Sequence, residues 1–256
     1  MDGLHPDQIL AAAVFIGARV SGLMVFCPFL GSNAIPAQIK VALTVLVTGV
    51  LYPLYGPLHL DFRTWQWAGV ALSEAVIGLV LGLSANFLME GAMMAGQILG
   101  VQMGYSLASL FDPQTSADTP VLSEFHRLTA LLIFLQLDVH HWLLRAVVKS
   151  FAYLPAQALP ATLATAGGLL SGAGGIFLAG VQIAAPALVA TLLADVALGF
   201  LGKASPQMPV LFVGLAIKNL IGLAMLITVI AYWPQSFSQR FAQGVALGER
   251  LLCLAH

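Results

Sequence analysis

Apolar residues run through this chain in long blocks, at 9–30, 39–55, 65–103, 129–144, 168–202 and 210–233, separated by short polar or proline-bearing stretches. A helix that crosses the hydrocarbon layer needs about 20 residues. By that measure the blocks at 39–55 and 129–144 are short. Those at 65–103 and 168–202 are long enough to bend, to form two helices, or to extend beyond a bilayer. Prolines punctuate the blocks: Pro28 and Pro36 bracket the first turn, Pro53 and Pro57 the second, Pro113 and Pro120 a central loop, and Pro155 and Pro160 a midpoint connector. Pro186 falls inside a strongly apolar run, where a kinked helix is expected rather than a stop. The tail repeats apolar residues at Phe237, Phe241, Val245 and Leu252, which predicts an amphipathic surface helix. The pattern therefore predicts an all-α chain of integral-membrane type, with kinked helices.

Two irregularities interrupt this pattern. Gly96, Gly100 and Gly104 leave one face of a helix bare, so that another helix can approach to backbone distance. The run ends in a polar loop that carries Asp112-Pro113 and closes at Pro120, and Pro113 holds the residue before it extended. The second irregularity is charge. Arg19, Glu74, Glu90, Asp138, Asp195 and Lys218 lie within apolar segments, where a central charge facing lipid costs roughly 2.5–3.5 kcal/mol. Such groups must face protein or water, as a buried pair between Asp195 and Lys218, as partners for charges on neighbouring subunits, or as a proton relay.

Composition agrees with the pattern. Of 256 residues 59% are hydrophobic and 8% charged, with a mean hydropathy of +0.93, against about 25% charged in an ordinary soluble domain. The formal net charge of −1 argues against nucleic acid as a partner. Cys27 and Cys253 show no metal or redox spacing and read as packing residues. The first ten residues contain no Lys or Arg, so the basic region of a cleaved leader is missing and the first apolar segment is expected to stay in the mature protein. The loop cations Lys40, Arg63, Arg127, Lys149, Lys203 and Arg240 are spread too evenly to orient the chain in a membrane.

Enzyme signatures fail on context. The segment from Gly104 to Ala108 approximates a nucleophile elbow around Ser106, but a glycine-faced helix stands where a strand is required. Gly202-Lys203 has neither the upstream glycine of a phosphate-binding loop nor a following Ser or Thr. His140 and His141 beside Asp138 read as a polar cluster at a helix end rather than a metal site, because adjacent residues point to different sides of a helix and no further ligand is close. No catalytic residue, metal or cofactor is expected.

Several separated motifs, in order, carry a resemblance. The run from Gly96 through Gln97, Gln102 and Met103 to Gly104, continuing to Ser106, Ala108 and Asp112-Pro113, resembles the signature of the FliR family. So do Leu131 to Leu135 followed by Asp138, His140, His141 and Leu144, and Asp195 to Gly202 leading to Pro206-Gln207, Phe212 to Gly214 and Lys218. Arg19, Pro28, Pro36 and Lys40 also fall where that family places them. Val139 departs from a common Gly, and Leu215-Ala216 from a common Phe-Pro, which puts the bend before Lys218 in doubt. The injectisome SctT family shares Asp112-Pro113, Pro206-Gln207 and Lys218, whereas Gln102 to Gly104 and the Asp138 cluster look flagellar.

The resemblance implies a core subunit of the flagellar type III protein export gate, its kinked helices forming helical hairpins, with no enzymatic activity. Residues 1–155 would be a FliP-like hairpin region with a plug at about 111–120, and residues 156–256 a FliQ-like hairpin region. FliP and FliQ subunits would join it in a helical, pore-forming hetero-oligomer in the bacterial inner membrane, within the flagellar basal body and raised largely to the periplasmic side. Leu110 and Phe111, with Met103, would seal the pore; Asp112, Pro113 and Pro120 would fix the loop; Gly96, Gly100 and Gly104 would pack against partners. Pro206 and Gln207 would mark a hairpin turn where FlhB docks, and FlhA would be a further partner. The cargo would be unfolded protein. An injectisome subunit and a small secondary transporter are the alternatives, and the latter should show inverted repeats, of which none is evident.

Overall fold

The computed structural model describes residues 6–32, 35–55, 66–105, 121–154, 162–205 and 210–253. Among these residues there are eight α-helices and no strand: α1 (Pro6–Phe26), α2 (Ala37–Tyr55), α3 (Gln66–Gln102), α4 (Val121–Gln136), α5 (Val139–Tyr153), α6 (Thr162–Ala204), α7 (Val210–Ile230) and α8 (Trp233–Cys253). Five of them are long and apolar enough to cross a membrane, or six where α4 and α5 count as one broken span.

The two long apolar blocks resolve differently from the short one. α3 is one helix of 37 residues and α6 one of 43, each well beyond the roughly 20 that the hydrocarbon requires. α6 runs through Pro186 without stopping, as expected of an apolar helix in which only one backbone donor is lost. The block at 129–144, expected as a single short span, is instead broken between α4 and α5. The break falls at Asp138, whose φ of 54° is left-handed and ends the preceding helix.

The described chain forms two compact units, and neither is a continuous stretch: one comprises residues 1–87, 138–173 and 240–256, the other 88–137 and 174–239. In the first, α1 and α3 meet at glycines. A Cβ on Gly22 would strike the Ala75 carbonyl, one on Gly78 the Arg19 carbonyl, and one on Gly82 would lie 2.9 Å from the Leu23 carbonyl oxygen. Phe15, Ile16, Val20 and Leu23 of α1 are fully buried. α2 also packs on α1, with Gly17 facing Thr48, yet keeps Ile39, Val41, Val45, Leu46, Val50 and Leu54 exposed. That apolar outer face suits lipid or a neighbouring subunit. Cys27, just past α1, is buried, as a packing residue would be.

In the second unit Ala95, Leu99, Met103, Leu122, Ala184, Ala187 and Leu226 form one apolar cluster from α3, α4, α6 and α7. α8 has the amphipathic pattern expected of the tail, but its stripe faces inward: Phe237, Phe241 and Val245 are buried. In the first unit, Gly244 of α8 lies against the Ser84 carbonyl of α3.

Candidate functional site

The glycine run occupies the end of α3, facing the start of α4. α3 carries glycine at position 96 because α4 crosses there at backbone distance. A Cβ on Gly96 would lie 2.5 Å from the Leu122 carbonyl oxygen and 2.7 Å from the Ser123 nitrogen. Ser123 is buried, and its hydroxyl donates to the Met93 carbonyl at 2.9 Å, so the contact is also hydrogen-bonded. Gly100 is buried in the same helix. Gly104 does something else: its φ is 84°, and it terminates the helix. The Tyr105 N–H donates to the Gly100 carbonyl at 2.9 Å and the Gly104 N–H to the Val101 carbonyl at 3.1 Å. Those two bonds make a Schellman motif, in which a left-handed residue satisfies carbonyls that the helix end leaves open.

Met103, expected with the pore seal, lies instead in the core of its own unit, 1% exposed, with Gly222 of α7 closing over its thioether. Its place there follows from the turn that sends it inward just before Gly104. Leu110, Phe111, Asp112, Pro113 and Pro120 lie outside the described residues, as do Ser106 and, between α6 and α7, Pro206 and Gln207.

The charges within apolar segments divide into three groups. Arg19 and Glu74 are fully buried and paired, Nε to Oε2 at 2.6 Å. The guanidinium also donates to Ser150 Oγ at 3.0 Å and to the Leu154 carbonyl at 2.9 Å, and stacks 4.0 Å from the Phe151 ring centroid. α1, α3 and the end of α5 thus converge on one side chain, whose three hydrogen bonds offset part of the desolvation, while the buried Oε1 of Glu74 has no hydrogen-bond partner among the described residues. In the second unit Asp195 of α6 binds Lys218 of α7 at 2.9 Å and accepts from Gln102 Nε2 of α3 at 2.9 Å. Lys218 is mostly buried and Asp195 half-exposed. Beside them a cleft of about 350 Å³, lined by Leu198, Gly199, Gly202, Gly214 and Leu215, opens between α6 and α7.

Glu90 and Asp138 are exposed on this chain. Asp138 is not isolated, however. Its carboxylate Oδ1 lies 3.3 Å from His141 Nδ1 and 3.7 Å from His140 Nε2, and the two imidazole centroids are 4.2 Å apart. The adjacent histidines were expected to diverge; they converge on Asp138.

Ser123, Ser150 and Gln102, which anchor these contacts, have no signal in sequence, since a lone polar residue in an apolar helix does not name its partner. Gly78 and Gly82 were findable. They repeat the four-residue spacing that marks Gly96 and Gly100, and they seat α1 on α3.

The family model for "Bacterial export proteins, family 1" matches residues 10–244 of the chain. The flagellar biosynthetic protein FliR of Pectobacterium carotovorum subsp. carotovorum is 32% identical, over 88% of this chain and 86% of that one. FliR of Bacillus subtilis (strain 168) is 30% identical, with 86% of each chain covered. FliR of Escherichia coli (strain K12) is 29% identical, over 81% of this chain and 80% of its own.

Proposed function

The chain belongs to the FliR family of bacterial export proteins, and from that premise we propose that it is a core subunit of the flagellar type III protein export gate, contributing part of the channel and its plug. The observation that carries the plug is the clamp between α3 and α4. The segment 106–120 leaves from a capped helix end at Gly104 and returns into a helix held against Gly96 by backbone contact and by the Ser123 hydrogen bond. Leu110 and Phe111 supply the apolar seal, and Asp112-Pro113 with Pro120 set its shape. Met103, buried in the core of its unit, anchors the end of α3 from which the plug segment continues. Unfolded cargo displaces the plug, with energy supplied by other machinery.

The remaining features fit a subunit of a larger assembly. Phe177, Leu178, Leu193, Val196 and Phe200 of α6 and Leu220 and Ile227 of α7 are exposed, an apolar surface suited to FliP-type and FliQ-type neighbours. The division into a FliP-like part up to about residue 155 and a FliQ-like part after it belongs to the same reading. Pro206-Gln207, between α6 and α7, marks the turn at which FlhB docks, and FlhA is a further partner. The complex sits in the inner membrane at the flagellar basal body, largely raised toward the periplasm, and touches lipid along faces such as that of α2. The relatives reported above bear flagellar names, which favours this system over an injectisome.

Deleting 111–120 tests the plug. In cells that carry the assembled complex, the deletion is expected to make the membrane leak small ions and metabolites while complex abundance is unchanged. An intact complex that stays tight without 111–120 would place the seal elsewhere.

A further inference from the structure

We propose that Asp138, His140 and His141 form a binding site for a divalent transition-metal ion of the zinc class. Three observations converge on it. First, the backbone brings the carboxylate in. Asp138 is the one non-glycine residue with positive φ among the described residues, and although it stands at the N-cap of α5 its side chain makes no capping hydrogen bond. An aspartate at that position ordinarily accepts from the next backbone N–H groups; this one is turned toward the two imidazoles.

Second, the two histidines reach one point although they are neighbours on a helix, because they offer different ring nitrogens. His141 presents Nδ1, the nitrogen near its backbone, and His140 presents Nε2, the far one, each to the same Asp138 oxygen. One atom from each of the three residues lies within 4.8 Å of the others.

Third, the distances suit ligands better than hydrogen bonds. Bonds of about 2.0–2.2 Å from zinc in tetrahedral array place neighbouring ligand atoms roughly 3.3–3.5 Å apart. The two separations from Asp138 Oδ1 are 3.3 and 3.7 Å, the second beyond an N–H···O bond, and one ring nitrogen of each histidine lies within 4.8 Å of the other. Closing on an ion needs side-chain rotations that draw the two imidazoles together. Two imidazoles and a carboxylate match zinc, copper(II) or nickel(II) rather than magnesium or calcium, which take oxygen ligands. Asp138 and His141 are exposed and His140 about one-third so, which leaves an approach for the ion and a fourth position for water or a neighbour's side chain.

The test uses the full chain, purified in detergent with a histidine-free tag and stripped with a chelator. Zinc competed against a chromophoric chelator is expected to bind at one equivalent. Asp138→Asn, His140→Ala and His141→Ala should each weaken it by at least the roughly 10–100-fold that loss of even an outer-shell partner costs. Circular dichroism checks that helicity is kept. Copper(II) bound to the unaltered chain should show nitrogen splitting from two imidazoles in its paramagnetic resonance spectrum, a readout that holds even where a variant fails to fold. Absence of stoichiometric zinc, copper without two nitrogen ligands, or unchanged affinity in a folded His140→Ala/His141→Ala double variant would each overturn the site.

Discussion

A buried guanidinium is tolerable only while its partners are in place, and Arg19 has four: Glu74, Ser150, the Leu154 carbonyl and the Phe151 ring. Removing the carboxylate strands the cation in an apolar interior, whereas removing both charges leaves little to desolvate. Glu74→Leu is therefore expected to destabilise the folded chain by about 3–5 kcal/mol, and Arg19→Leu/Glu74→Leu to recover much of that loss. Denaturation of the detergent-purified variants reads the difference. A double variant no more stable than Glu74→Leu alone would mean that the pair contributes through something other than charge. The sequence identified both residues as charges that must face protein, from their position in apolar blocks, but not that they face each other. They lie 55 positions apart, and the glycine contact between α1 and α3 that aligns them is a three-dimensional fact.

At the scale of elements, Gly104 decides where α3 ends. Alanine there would hold a Cβ in the left-handed region, which costs about 1–2 kcal/mol. Gly104→Ala should fray the last turn of α3, visible as faster amide hydrogen exchange at Met103 and Tyr105, while Gly104→Asn should be milder, since asparagine tolerates that conformation. Equal exchange in all three proteins would remove the helix stop from the account. Spacing alone grouped Gly96, Gly100 and Gly104 as one face. It separated neither Gly96, which admits α4, from Gly104, which stops the helix, nor predicted the inward turn of Met103, because both depend on where the chain goes next. Other elements divide the same way. Pro186 in an apolar run was legible as helix that continues. The break at Asp138 was not, because a left-handed aspartate leaves no mark in hydropathy, and the convergence of His140 and His141 depends on that same conformation. The stripe Phe237, Phe241 and Val245 was legible as amphipathic, yet that these side chains turn inward and are buried depends on packing that no local pattern records.

For the whole molecule, length and hydropathy suffice for the class: long apolar helices with few charges. Division into units was out of reach, since each unit gathers stretches from across the chain through contacts that no local pattern records. The proposed role as one subunit of an export gate accounts for the apolar surface on α2, α6 and α7 that stays uncovered in a single chain. Such surface is costly in water and is satisfied by lipid or by neighbours. A transporter would satisfy it with lipid alone and act by itself; a gate subunit needs its partners. The central claim is thus that this chain works only within a hetero-oligomer, and native mass spectrometry after co-expression with FliP and FliQ tests it most directly. A discrete complex that contains this chain together with both partners is the predicted result. A stable monomer or homodimer that ignores them would contradict it.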